Sequence, residues 1–387
     1  MTEERDHHRA VGPHANREFS PIEPARNLAN KRRLRAAQQE ITQAPLRQLG
    51  EAIAAAYHED AEFRATHPVN DVVGRAAIER EFWRPLRHAL PDAERREHIL
   101  VGGRYQGREL VASLGQYVGT FAQDWYGLPA TGQPLVVRYC EAHEWAEGWI
   151  RRSWVHLDHL DIMRQVGYWP IAPSLGSEGG WLPPQMNDGV VLTQQDDAVS
   201  RRCFALVMAM HTALGDYSGR PPTREVLDEM VQARFWHPRF MWYGPAGLGT
   251  TRGLRGFEDY HQIPFLAAFP DRGKRRAGEE AYSGHYIRIA DGRFVVTGGW
   301  GHLVATHTGG GLLGLAATGR TVKMRVMDFY RCELAEDGDG ERDWLRENWV
   351  PIDIPHVLHQ LGVDIFGRMR HQHRQNQALR ASEFLVR

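Results

Sequence analysis

Cysteine is scarce: Cys140, Cys203 and Cys332 are the only three in 387 residues, an odd number without metal-type spacing. That excludes a disulfide framework and a cysteine-based zinc module, and it fits a reducing compartment. No run of apolar residues is long enough to span a bilayer. The opening stretch "MTEERDHHRAVGPHANREF" has no apolar core of the kind a secretory signal needs, so the expected location is cytoplasmic. Neither sign of charge is in excess, with 47 Lys+Arg against 48 Asp+Glu and a formal net charge of -1. Hence no global field draws the chain toward nucleic acid or an acidic membrane, and neither is expected as a partner. "GPAGLGTTRG" (244–253) lacks the Lys-Ser/Thr ending of a phosphate loop and reads as a turn-rich connection. A helical H-x-x-x-H is also lacking, and no metal site is assigned.

What is present is the composition of a globular protein, 42% hydrophobic and 25% charged. The length favours two domains. Residues 1–30 are polar, punctuated by His and Pro, and read as a mobile N-terminal tail. A first domain is expected over 31–168. Residues 169–196, dense in Pro, Gly and Ser, read as a linker or a wrapping arm. A second domain is expected over 197–365, followed by a basic, helical C-terminal tail, 366–387. Within each domain helices come first, then long alternating strands, then one short helix ("HLDIMRQVG", "HVLHQLG"). That order is α+β.

The halves are copies. "GLAATGRTVKMRVMDFYR" (314–331) echoes "GLPATGQPLVVRYCEAHE" (127–144), with six of eighteen positions identical and Glu141 aligned on Asp328. Two copies of a unit this long are a duplication, not a solenoid. In "EWAEGWI" a two-residue turn at Glu147-Gly148 pairs Ala146 with Trp149. Counting down the ladder from that turn puts Tyr139, Glu141, His143, Arg152, Trp154, His156 and Asp158 on one face. The same register in the second copy gathers Met324, Val326, Asp328, Tyr330, Glu347, Trp349, Pro351 and Asp353. Acids, aromatics and imidazoles on one face suggest a half-polar pocket wall in each copy.

With "G-x-x-A-T-G-Q/R" before the penultimate strand and "W-x-x-x-D" on the last, the chain resembles the SnoaL-like polyketide cyclases, or ester cyclases. These lie within the nuclear transport factor 2-like superfamily. "SWVHLDHLDIMRQVG" and "NWVPIDIPHVLHQLG" carry the resemblance into the short helix, and it covers both units. It implies two tandem cone-shaped units, each a curved antiparallel sheet wrapped by helices around a pocket. It also implies that Asp158 is an acid/base, with His156 and His143 beside it. In the second copy Asp353 is kept, but Pro351 and Tyr330 stand where the histidines would be. That leaves Asp353, Asp328, Glu347 and Tyr330 as a different constellation. The tandem form would mimic a dimer within one chain, and a further homodimer is left open.

The chemistry implied is an intramolecular aldol cyclisation or an isomerisation of a hydrophobic carbonyl or ester compound, requiring no cofactor. A carboxylate in an apolar pocket is a competent base near neutral pH, and a neighbouring His or Tyr can donate to the enolate oxygen. Asp158, His156, His143, Asp353 and Asp328 are the catalytic candidates. Glu141, Tyr139, Trp154, Tyr330, Glu347 and Trp349 are the substrate-binding candidates. The competing readings are a non-catalytic small-molecule-binding or interaction module, and hydrolysis of an epoxide. At single positions, Asp158 and Asp353 also read as N-caps of the short helices, and Trp154 and Trp349 as core.

Overall fold

A computed structural model of the chain describes residues 19–272, 284–337 and 342–385. Most of the expected N-terminal tail lies outside them, but a helix already begins at Pro24 and runs to Gln43. A second helix, Leu49–Ala56, ends where β1 (Tyr57–Ala65) begins; β2 is Asp71–Val73. A helical run from Arg75 to Ala89 follows, widened to a π-turn over Glu79–Trp83. Then come β3 (Glu94–Tyr105), β4 (Arg108–Thr120), β5 (Pro134–Ala146), β6 (Trp149–Leu157) and the helix His159–Gln165.

The second unit repeats this plan. The helix Asp197–Leu214 leads to β7 (Trp236–Tyr243), β8 (Thr250–Arg252) and a helical run with its π-turn at Glu258–Gln262. β9 (His285–Asp291), β10 (Phe294–Thr306), β11 (Thr321–Glu333), β12 (Trp344–Trp349) and the helix Ile354–Gln360 complete it. The helix Ile365–Leu385 follows. Sheet orders are β2-β1-β6-β5-β4-β3 and β8-β7-β12-β11-β10-β9. The first and last strands of each unit pair in parallel, β1 with β6 and β7 with β12, and all other pairs are antiparallel. Among the described residues no helix is long and apolar enough to cross a membrane.

Each sheet has two buried faces. One, including Val137 and Tyr139 or Met324 and Tyr330, packs under its own helices. The other, including Ala112, Ala142 and Trp154 or Val296, Phe329 and Trp349, packs against the opposite unit. At this seam a side chain on Gly103 would sit 2.7 Å from Ile289 Cβ, so only glycine permits the approach. Residues 169–196 serve as the wrapping arm: the indole N–H of Trp181 donates to Gly244 O (2.6 Å), and that of Trp349 to Leu182 O of the arm (2.9 Å).

The β5–β6 turn is the expected Glu147-Gly148, with φ of 54° and 87°, the left-handed pair a two-residue hairpin requires. Ala146 pairs with Trp149 and Trp145 with Ile150, but Glu144 pairs with Arg152. Arg151 is therefore an extra residue, a β-bulge, and every pair beyond it slips by one. Glu141 faces Val155, not Trp154, and His143 faces Ser153. The second copy has the same slip: Cys332 pairs with Leu345 and Arg331 with Glu347, leaving Arg346 as the extra residue.

Candidate functional site

The slip splits the expected constellation in two. Tyr139, Glu141 and His143 do face the helices of the first unit. Trp154 and His156 face the seam, as do Glu347 and Trp349 in the second unit, so their expected place beside the interior carboxylates is corrected.

Inside the first unit a closed polar network fills the space under the helices. The Arg95 guanidinium donates to Tyr117 Oη (2.8 Å), Ser113 Oγ (3.2 Å) and the Glu141 carboxylate, and lies 4.1 Å from the Tyr139 ring centroid. His143 places Nε2 3.3 Å from Glu141 and pairs through Nδ1 with Ser153 Oγ (2.8 Å). Gln38, from the first helix, meets the same Nε2 at 3.3 Å. Burial pushes the Glu141 carboxyl up, but Arg95 and then His143 overcome it and hold the group below the usual carboxylate range. Glu141 is a locked ion, poorly suited to accept a proton.

The aligned site in the second unit is built differently. Asp328 sits opposite Thr297 on β10, and Tyr330 opposite Asn348 on β12. Asp328 is hydrogen-bonded by Tyr330 and Asn348, and Tyr330 Oη lies 2.9 Å from His211 Nε2. His211 comes from the long helix Asp197–Leu214, the counterpart of the one that carries Gln38. Arg288, opposite Thr297 on β9, reaches His285 Nδ1 at 2.8 Å. His285 and His302 meet edge to face with centroids 4.8 Å apart. No arginine is paired with Asp328 among the described contacts. Burial pushes its carboxyl up to about 7, against the two hydrogen bonds that pull it down.

The two W-x-x-x-D carboxylates form a third, reciprocal arrangement at the seam. Asp158 caps its helix by accepting from Asp161 N (3.1 Å) and pairs with Arg138 (3.1 Å). Its second oxygen accepts from Ala246 N of the other unit at 3.0 Å. Asp353 accepts from His356 N (3.1 Å), pairs with Arg325 (3.0 Å), and accepts from His67 N of the first unit at 3.0 Å. Burial raises both carboxyls to about 6, against the arginine beside each. Trp154 stacks on Tyr286 across the seam at 4.4 Å, and within the second unit Trp349 stacks on its strand neighbour Tyr243 at 5.0 Å. His156 is buried at the seam, without a hydrogen-bond partner for either nitrogen among the described residues, and burial holds its pKa down near 3. Glu347 accepts from Gln185 N of the arm (3.1 Å) and from Tyr243 Oη (3.3 Å).

Residues 35–166 match the family model of the SnoaL-like polyketide cyclases. The first unit is a SnoaL-like domain. The second repeats its strand order and pairing, consistent with the expected two tandem units of nuclear transport factor 2-like type, but the sheets, expected to be antiparallel, are mixed, because the first and last strands of each unit pair in parallel. The chain is also similar to the solved structure of IdmH from Streptomyces antibioticus, described as a candidate polyketide cyclase. Identity there is 19%, covering 36% of this chain and 99% of that one, with a TM-score of 0.30. A candidate SnoaL-like cyclase from Jannaschia sp. CCS1 matches at 17% identity over 38% and 96% of the two chains, TM-score 0.32. One from Xanthomonas campestris pv. campestris matches at 21% over 36% and 99%, TM-score 0.29. No curated protein matches the chain.

Sequence reasoning missed Arg95, Gln38, His211, His285 and Arg288 as parts of these two interiors. Arg95 and Arg288 lie on β3 and β9, and Gln38 and His211 on helices far from the motif strands. Parity along β9 and β10 would have placed Arg288 with Thr297 once the strand pairing was known.

Proposed function

We propose that the chain is a cofactor-independent enzyme of the cyclase or isomerase type, and that its acid/base centre lies in the second unit. Asp328 is the base and Tyr330, backed by His211, is the hydrogen-bond donor. The observation that carries this reading is the contrast between the aligned carboxylates. Glu141 is neutralised by Arg95, whereas Asp328 is buried without a guanidinium and titrates near 7. A base with such a pKa is half ionised near neutrality and strong enough to take a proton from carbon beside a carbonyl.

In the proposed step the Asp328 carboxylate removes that proton from a hydrophobic carbonyl compound. The electron pair moves onto the carbonyl oxygen, and the Tyr330 hydroxyl donates to the enolate. For cyclisation the enolate carbon then attacks a second carbonyl of the same molecule, and the alkoxide takes the proton back from Asp328. Isomerisation returns that proton to a different carbon. The first unit, with its locked ion, braces the second, and Asp158 and Asp353 hold the seam instead of reacting.

The test is exchange of the α-protons of 2-tetralone in heavy water, followed by NMR. The native chain should accelerate exchange above the buffer rate and Asp328→Asn should not. A native chain no faster than buffer, or an Asp328→Asn variant as fast as native, overturns the assignment.

A further inference from the structure

We infer that His211 is the proton port of the second unit, carrying hydrogen between the buried Asp328 and solvent through the Tyr330 hydroxyl. This role rests on the reading of Asp328 as the base, and it adds a route and a consequence. Hydrogen taken from the substrate carbon is replaced by solvent hydrogen as the enzyme turns over.

The geometry is a short chain. Asp328 is hydrogen-bonded by Tyr330, and Tyr330 Oη lies 2.9 Å from His211 Nε2. Asp328 and Tyr330 are buried, whereas His211 is half-buried on the helix Asp197–Leu214 and reaches the surface of the unit. The titratable and charged groups beyond its ring are His285 on β9, with centroids 6.2 Å apart, and the two partners of His285. These are Arg288, 2.8 Å from Nδ1, and His302 on β10, edge to face at 4.8 Å. The first unit supplies the contrast. At the corresponding place its helix offers Gln38 to His143 Nε2, at 3.3 Å. An amide can hold a hydrogen bond but cannot carry a proton, whereas an imidazole does both. The unit with the locked ion has the amide, and the unit with the titratable acid has the imidazole.

The transfer balances without a charged phenol. After abstraction Asp328 holds the hydrogen from carbon. It passes that hydrogen to Tyr330 Oη as the hydroxyl's own hydrogen moves to His211 Nε2, and the imidazolium releases its Nδ1 hydrogen to water. Carboxylate, phenol and neutral imidazole result, and the new hydroxyl again donates to the enolate. The His211 ring, open to water, exchanges its hydrogens for solvent ones, so repeated transfer along the chain brings solvent hydrogen back to Asp328. The two inner transfers are concerted, because burial pushes the Tyr330 phenol well above its ordinary range and disfavours a free phenolate. From end to end the step is nearly level, since Asp328 titrates at about 7 and an imidazole ordinarily at about 6.5.

The test repeats the 2-tetralone exchange with variants of His211, each rate taken above a blank of the same buffer and each fold checked by circular dichroism. His211→Gln keeps a hydrogen bond to Tyr330 and brings in the residue type of the first unit. It should slow exchange by on the order of a hundredfold, the low end of what a positioned proton carrier contributes. His211→Ala should be as slow, and added imidazole should restore much of its rate while leaving the native chain and His211→Gln unchanged. Loss of a group that merely braced Tyr330 would not give that pattern. Suppose the native chain accelerates exchange and Asp328→Asn does not. A native rate in His211→Gln, or no recovery of His211→Ala with imidazole, then overturns the port and leaves the base standing. A native chain no faster than buffer overturns both.

Discussion

Replacing Arg95 with Met tests whether the first interior holds a locked ion. The Arg95 and Glu141 side chains are each 2% exposed. Without the guanidinium, Glu141 keeps only His143 Nε2 at 3.3 Å, while Tyr117 and Ser113 lose a donor. Removing one partner of a buried pair costs about 3–5 kcal/mol because the other charge is stranded. For a unit of this size that is a fall in Tm of roughly 6–20 °C. The pH dependence gives the sharper reading. In the native chain Glu141 is held below its usual range, so its contribution is complete above the unfolded pKa and is lost as pH falls through the lower folded one. In Arg95→Met burial dominates and the folded pKa rises above the unfolded value. The folded state then binds the proton more readily, and the destabilisation shrinks between about pH 8 and about pH 5. Urea melts of both proteins at the two pH values measure this. A loss under about 1 kcal/mol, or one equal at both pH values, would refute the reasoning.

The remaining expectations are briefer. The tetralone exchange rate of the native chain should rise with pH with a midpoint near 7, since the ionised form of Asp328 is the base; a flat profile would exclude it. Asp158→Ala should cost about 2–4 kcal/mol, from a lost cap and a lost charge-assisted hydrogen bond to Arg138, which keeps Asp161 as a partner, and Asp353→Ala the same, with Arg325 keeping Asn70, as read by denaturant midpoints. Neither should change the chemistry per folded molecule. Asp158→Asn should flatten part of the pH dependence: with a folded pKa of about 6 against an ordinary 3.8, Asp158 stabilises increasingly as pH falls from 6 to 3.8, and this contribution is lost as pH rises. Gly103→Val should lower stability by about 1–3 kcal/mol, because its side chain meets Ile289, and thermal melts would show it.

Much of this fold is legible in the chain because duplication writes every cue twice. The Gly-ended turns and the alternation along β5 and β11 place most strands and the interior row Glu141/His143 against Asp328/Tyr330. What could not be read is where the last strand slips. Arg151 and Arg346 carry no glycine or proline to announce a bulge, and one uncounted residue sends Trp154, His156, Glu347 and Trp349 to the opposite face. For Asp158 and Asp353 the capping reading holds, since each accepts from the amide three residues on. Arg95 was hidden for another reason. Its meaning depends on β3 lying next to β4, and "ERREHILVGGRY" begins with a charged run that hides the alternation.

The reciprocal clasp has a consequence for how such a protein can change. Each half lends a backbone amide, Ala246 or His67, to the capping carboxylate of the other. A pair assembled from identical chains must accept every substitution on both sides of its symmetry axis at once. Fusion removes that obligation: one hollow can be sealed with an arginine while its twin keeps a titratable acid, and the shared seam holds both to the same scaffold as they diverge.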